Sequence, residues 1–150
     1  MGIEALKSFL RRNRRIALDA KVFIYQIEAN PRYVGLTDVV FSALELGRVS
    51  GATSTITMTE LLVPAYRSQN EKQRDDFYGL FSRYPNLEWV PASLSIADTA
   101  AELRALHNLR TPDALQAATA VHADATGLVT NDPAFMRVKQ FETLVLDRVL

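Results

Sequence analysis

The sequence predicts an α/β fold, a three-layer α/β/α sandwich around a central, mainly parallel sheet of about five short strands. Three observations predict it. Short apolar runs alternate along the chain with longer stretches of helical spacing. The connections are brief, with no repeat, linker or low-complexity stretch, so the 150 residues read as a single domain, 1–150. Hydrophobic residues make up 48% and charged residues 23%, the balance of a chain that buries a core.

Taken in order, Ile16-Ala-Leu-Asp19 is a short buried strand, followed at once by helical spacing over Val22 to Glu28. Asn30-Pro31 breaks that helix. Thr37-Asp38 opens the next, with Val39, Val40, Ala43, Leu44 and Leu46 on its apolar stripe and Gly47 as its stop. Gly51–Thr55 is the second strand. Thr57 starts a helix carrying Met58, Leu61, Leu62 and Ala65, which Pro64 should kink or shorten. Residues 70–84 are helical, polar and studded with Phe77, Tyr78, Phe81 and Tyr84. Leu87–Val90 is the third strand. Ser95 to Leu109 is an Ala/Leu-rich helix with Ser95 as its cap and Asp98 three residues on. Thr111-Pro112-Asp113 begins a helix through Ala125, with Gly127 beyond it. Leu128–Thr130 and Thr143–Leu146 complete the sheet.

Composition excludes several kinds of chemistry. With no cysteine there is no disulfide scaffold, thiolate zinc site, thiol nucleophile or iron–sulfur centre. His107 and His122 lie apart and belong to no metal motif, so each reads as a surface or packing residue. No apolar run approaches the roughly 18 residues of a membrane span. After Arg15 only Ile16, Ala17 and Leu18 precede Asp19, too few for a signal peptide's apolar region. The expectation is a cytoplasmic protein with no membrane partner. The 17 basic and 17 acidic residues cancel, which on its face argues against a nucleic-acid partner.

Open parallel sheets bind ligands beyond the carboxyl ends of their strands, where the strand order reverses. Four acids are candidates for that edge. Asp19 ends the first strand, Asp132 follows the fourth by two residues, and Glu60 and Asp113 lie in the first turns of helices. Singly, each has a structural role open to it. Thr57-x-x-Glu60 fits a capping box, Asp113 after Thr111-Pro112 suits a helix N-terminus, and Asp132 before Pro133 suits an N-cap for 134–137. Asp19 fits such a role least, because it interrupts an apolar strand where an unpartnered carboxylate is costly. Carboxylates brought close raise one another's pKa, and a divalent cation removes that cost. Oxygen-only donors suit a hard cation, Mg²⁺ or Mn²⁺.

Ile16-Ala-Leu-Asp-Ala-Lys-Val-Phe-Ile-Tyr25, Ile56-Thr-Met-Thr-Glu-Leu-Leu62, Thr111-Pro-Asp-Ala-Leu-Gln-Ala-Ala-Thr-Ala120 and Leu128-Val-Thr-Asn-Asp-Pro-Ala-Phe135 resemble, in that order, the signature blocks of PIN-domain nucleases. The VapC-like toxins of toxin–antitoxin pairs are the subgroup they resemble most. The resemblance implies a PIN-like fold and a metal-dependent endoribonuclease in which Asp19, Glu60, Asp113 and Asp132 form the acidic quartet and bind Mg²⁺ or Mn²⁺. It also implies supporting roles for Thr130 and Asn131, a homodimer, and a cognate antitoxin protein covering the site. One position departs from the pattern: where the family carries a small polar residue two places after the first acid, this chain has Lys21. Its ammonium could bind a substrate phosphate, pair with Asp19 and weaken metal binding, or face solvent.

RNA needs cationic surface. Two regions offer it: residues 1–15, with Lys7, Arg11, Arg12, Arg14 and Arg15 against Glu4, and the stretch holding Arg67, Lys72, Arg74 and Arg83. The second lies nearer Glu60 in sequence, and Arg67, Lys72 and Arg74 with Lys21 are the expected RNA contacts. The first is open to other uses, a solvated face or an antitoxin contact. Setting the four pocket acids aside leaves 17 basic against 13 acidic residues, so overall neutrality does not exclude RNA. The alternative is a PIN-like binding scaffold without nuclease activity. Other α/β readings lack their motifs: Ala20-Lys21-Val22 stands where a dinucleotide fold wants its glycines, and a phosphatase with paired aspartates would need an acid at position 21.

Overall fold

The computed structural model describes residues 2–150. Its sheet has five strands, β1 (Arg15–Leu18), β2 (Ser50–Ser54), β3 (Leu87–Val90), β4 (Gly127–Thr130) and β5 (Glu142–Val145). They are all parallel, in the order β3-β2-β1-β4-β5. The chain builds outward from β1 through β2 to β3, then returns to start β4 on the other side of β1. The strand order therefore reverses between β1 and β4, whose carboxyl ends stand side by side in the register Leu18 to Val129.

Seven helices cover the two faces. They are α1 (Gly2–Arg12), α2 (Ala20–Ile27), α3 (Val34–Glu45), α4 (Ile56–Arg67), α5 (Glu71–Ser82), α6 (Leu94–His107) and α7 (Thr111–His122). Alternation along the strands assigns the faces. Ile16, Leu18, Val129 and Leu144 point into an aromatic core with Phe9, Phe23, Phe41 and Phe81. Ala17 and Leu128 point the other way, into a second core with Leu103, Leu109 and Phe135. The second core is rich in alanine. Ala114, Ala117, Ala118 and Ala120 are all buried on α7, and their short side chains let that helix lie close against the sheet.

All five strands lie within a residue of their sequence-predicted positions, but the helices differ in several places, α3 for one opening at Val34 rather than at Thr37. The N-terminal stretch, read for its charge, is the amphipathic helix α1, which buries Leu6, Phe9 and Leu10. Pro64 does not shorten α4, which continues to Arg67. Proline costs a helix its own N–H and crowds the carbonyl four residues back, and Pro64 stands on the exposed side of α4. Ser93, not Ser95, caps α6, its hydroxyl accepting from the Ile96 amide at 3.2 Å. Helix α7 ends at His122, short of Ala125. Among the described residues no helix is long and apolar enough to cross a membrane.

Helix α1 is fastened to β4 by close approach. A Cβ on Gly127 would stand 2.6 Å from the Phe9 ring and 3.0 Å from Asn13. Phe9 is fully buried and cannot swing aside. Gly127→Ala is accordingly expected to destabilise the fold by about 1–3 kcal/mol, the usual cost of overpacking a filled core. Thermal denaturation checks it: the variant should melt several degrees lower, and an unchanged melting temperature would refute the tight contact.

Candidate functional site

At the reversal point, beyond the carboxyl ends of β1 and β4, a cavity of about 410 Å³ is lined by Asp19, Glu60, Asp113 and Asp132 together with Lys21, Tyr25, Arg110, Gln116 and Asn131. The four acids come from four elements: the residue after β1, the second turn of α4, the first turn of α7, and the loop after β4; because α4 opens at Ile56, Glu60 lies one turn deeper than the expected first turn.

Asp19 is 9% exposed and caps α2, with Oδ1 accepting from the Ala20 amide at 2.8 Å and Oδ2 from the Thr130 hydroxyl at 2.8 Å. Burial pushes its carboxyl up to about 6; the bonds from Thr130 and Ala20 oppose that, and the charges of Asp113 and Glu60 add to it. Asp113 is likewise raised by burial, opposed by Arg110 and reinforced by Asp132. The acids thus act on one another across the cavity. Asp132 caps the short 3-10 turn Pro133–Arg137, its Oδ1 accepting from the Ala134 amide at 2.9 Å.

The capping box expected of Thr57 and Glu60 does not form. Helix α4 begins a turn-position earlier, at Ile56, and the Thr57 side chain is buried in a different network. There the Gln116 amide donates to Thr57 Oγ1 at 2.7 Å, Thr57 meets Thr53 Oγ1 at 2.7 Å, and Thr53 donates to the Leu18 carbonyl at 2.8 Å. One direction of donation satisfies the whole chain if Thr57 gives its proton to Thr53. The chain ties α7, α4, β2 and β1 together beneath the cavity and leaves Glu60 exposed.

The supporting residues act on the acids and the frame. Thr130 donates to Asp19 and accepts from the Asp132 amide at 3.0 Å, linking two of the four carboxylate positions. Asn131 donates to the Tyr25 hydroxyl at 3.1 Å and accepts from the Asp147 amide at 2.8 Å, so it braces the loop. Tyr25 stacks on Tyr33 with ring centroids 4.2 Å apart. Lys21 lines the cavity without pairing to Asp19, whose two oxygens are held as described. Arg67, Lys72 and Arg74 do not line it: Lys72 bonds Asp76, and Arg74 lies over the Tyr66 ring and near Asp75. His107 and His122 are also outside it, the latter meeting Thr99 at 2.8 Å.

Two lining residues were missed by the sequence reading. Arg110 is the residue before α7, and its Nε donates to Asp113 Oδ2 at 3.2 Å. Gln116 stands one turn beyond Asp113 on the same helix. Both signals were present: a cation three residues before an acid, and a lone amide in an alanine-rich run at helical spacing from that acid.

The donor set fits a hard divalent cation. The donors are all oxygens, no histidine lines the cavity, and among the described residues Asp113 and Asp132 each keep one oxygen, and Glu60 both, without a protein partner. As the side chains stand, no group of three among the described residues is arranged to hold an ion, and Arg110 engages one of the acids.

The sequence profile described as PIN domain matches residues 16–140. The chain belongs to the PIN domain family. Solved structures of similar fold include VapBC2 from Rickettsia felis bound to a promoter DNA fragment, at 21% identity and TM-score 0.65, covering 87% of this chain and 98% of that one. FitAcB from Neisseria gonorrhoeae is similar at 22% identity and TM-score 0.63, covering 87% and 97%. VapBC-1 from nontypeable Haemophilus influenzae is similar at 20% identity and TM-score 0.65, covering 89% and 98%. Comparison with curated protein sequences finds no match. The five-stranded parallel sheet between helical layers is the PIN-like α/β/α sandwich that the sequence implies.

The raised Asp19 carboxyl makes a signed prediction. A carboxyl near 6 in the folded chain, against an ordinary 3.8, lowers stability as pH rises from about 4 to 6, and the cost is fully present above 6. In metal-free buffer Asp19→Asn should therefore be more stable than wild type at pH 7, on the order of 2 kcal/mol, with the gap closing as pH falls toward 4. Melting curves across that range test this; parallel profiles for the two proteins would refute it.

Proposed function

We propose that this PIN-domain chain is a divalent-metal-dependent endoribonuclease, the VapC-like toxin of a toxin–antitoxin pair working in the cytoplasm. The observation that carries the reading is the convergence of Asp19, Glu60, Asp113 and Asp132 on one cavity at the switch point of the sheet. Mg²⁺ or Mn²⁺ bound there would supply an activated water and neutralise charge on the phosphoryl oxygens. Asp19, Asp113 and Asp132 are the direct or water-mediated ligands. Glu60, exposed at the rim, either joins them or orients the attacking water. Thr130 holds Asp19 and the Asp132 backbone in register. Lys21 and Arg110 supply the cations nearest the scissile phosphate, with Arg67, Lys72 and Arg74 further along the RNA path.

An antitoxin and a second copy of the chain are the proposed protein partners. A further structure of similar fold, from Klebsiella pneumoniae, is described as a toxin–antitoxin complex. Helix α4 also carries an incompletely covered apolar strip of Met58, Leu62, Val63 and Tyr66 beside Glu60. A second reading, a PIN-like scaffold that binds RNA without cutting it, is favoured by the Arg110–Asp113 bond, which already gives one acid a counter-charge.

Incubation of RNA with the purified chain distinguishes them. Wild type should cleave with Mg²⁺ or Mn²⁺ and stop on addition of EDTA, and Asp19→Asn should lose cleavage while remaining folded. Mg²⁺ should also raise the melting temperature of wild type, by the equivalent of about 2.7 kcal/mol when present at 100 times its Kd. RNA bound but uncut, with no thermal response to metal, would support the scaffold; undiminished cleavage by Asp19→Asn would overturn the site.

A further inference from the structure

At the opposite edge of the sheet from the acids, a groove of about 600 Å³ runs between α1 and α3. Its place follows from the chain: Arg14 precedes β1 and Arg48 and Val49 precede β2, whereas Asp19 follows β1. Leu10, Val39 and Val49 form an aliphatic floor. Lys7, Arg11, Arg14 and Arg48 stand around it, and Asp38 is the single acid in the lining. Elsewhere five arginines find carboxylates, Arg12 with Glu142, Arg15 with Glu88, Arg32 with Asp147, Arg74 with Asp75 and Arg110 with Asp113, and Arg104 and Arg137 donate to backbone carbonyls. Among the described residues Arg11, Arg14 and Arg48 have none, and only Lys7 is paired, loosely, with Glu4 at 3.9 Å. Guanidinium groups stay charged at any working pH, so three of them around one hollow repel until an anion arrives. The family profile begins at residue 16, so α1 and Arg14 precede the matched region and one wall of this groove is an addition to it.

We propose that the α1–α3 groove is a docking surface for an acidic amphipathic helix of a protein partner. The apolar side chains of that helix would lie against Leu10, Val39 and Val49, and its carboxylates would pair with Arg11, Arg14 and Arg48. The charge of the rim selects the sign of the occupant, and the arginine fork favours carboxylates in bidentate pairs. The floor selects protein over RNA. Unpaired bases are held by stacking on aromatic rings, and among the described residues no aromatic side chain lines the groove. A space between two helices with an aliphatic floor receives a third helix through residues spaced three and four apart. Lys7, Leu10 and Arg11 on α1, and Val39 and Ala43 on α3, present that same spacing from the groove's own walls.

The proposal is independent of nuclease activity and is tested by binding. The probe is a fluorescently labelled synthetic peptide of about twelve residues, roughly the length of α1, with leucines along one helical stripe and glutamates flanking it. Fluorescence anisotropy with the full chain should show saturable binding that weakens as salt rises. The double substitution Arg11→Glu and Arg48→Glu should weaken it at least about tenfold, while Lys139→Glu, a charge control elsewhere, leaves it unchanged. Melting temperatures check that the variants fold, and the milder Arg11→Gln with Arg48→Gln should give an intermediate loss. Equal binding of a peptide with lysine in place of glutamate would overturn the proposal. So would indifference to the double substitution, or a short single-stranded RNA or inorganic tripolyphosphate binding these same arginines more tightly than the peptide. RNA cleavage assays on the same variants should match wild type, so failure of docking and failure of the nuclease reading remain separate results.

Discussion

A carboxylate buried at the end of a central strand is the constraint around which the rest of this molecule is arranged. Asp19 follows β1, the middle strand of the sheet, and is nearly closed off from water. A charge there requires donors, and the fold supplies one from the first turn of α2 and one from Thr130 at the end of the adjacent strand. Those bonds fix where β4 must end relative to β1. The same Thr130 oxygen then receives the Asp132 amide, so the position of the next acid follows from the first. The remaining two acids are placed by helices whose footing is the buried chain from Gln116 through Thr57 and Thr53 to the Leu18 carbonyl, one residue before Asp19.

Most of this was legible in the sequence because the period of the apolar residues changes sharply between strand and helix. The strands are short, and most read as apolar runs; β2, built from Ser50, Gly51, Ala52, Thr53 and Ser54, does not, and is held by pairing on both sides. The acids were legible because carboxylates at strand ends and helix starts are few. What misled was local chemistry with more than one outlet. Thr57-x-x-Glu60 has the pattern of a capping box, but a threonine facing a buried amide finds a better partner in Gln116. In α1 the arginines drew attention to charge, while Leu6, Phe9 and Leu10 carried the helical stripe. Arg110 escaped notice because its role depends on the turn into α7, which folds its guanidinium back over Asp113.

The zero net charge of the chain conceals a strong separation. Acids concentrate at the carboxyl edge of β1 and β4, while unpaired arginines concentrate beyond the amino edge of β1 and β2. Each concentration is electrostatically unfavourable by itself. In a parallel sheet the two edges lie on opposite sides of the domain, so the separation survives folding. Bulk charge therefore says little about what a surface of this size attracts, and the local field decides.

The two edges are nonetheless joined by a very short rod. Strand β4 begins at Gly127, whose bare backbone touches Phe9 of α1, and ends at Thr130, which holds Asp19. Four residues of extended chain cover only about 13 Å. It is flanked by β1 and β5 and buried along its whole length, so it has little freedom to bend. Whatever displaces Phe9 pushes on one end of a stiff bar whose other end carries the hydroxyl that holds Asp19. The glycine at position 127 is thus the mechanical joint between the added helix and the acid edge.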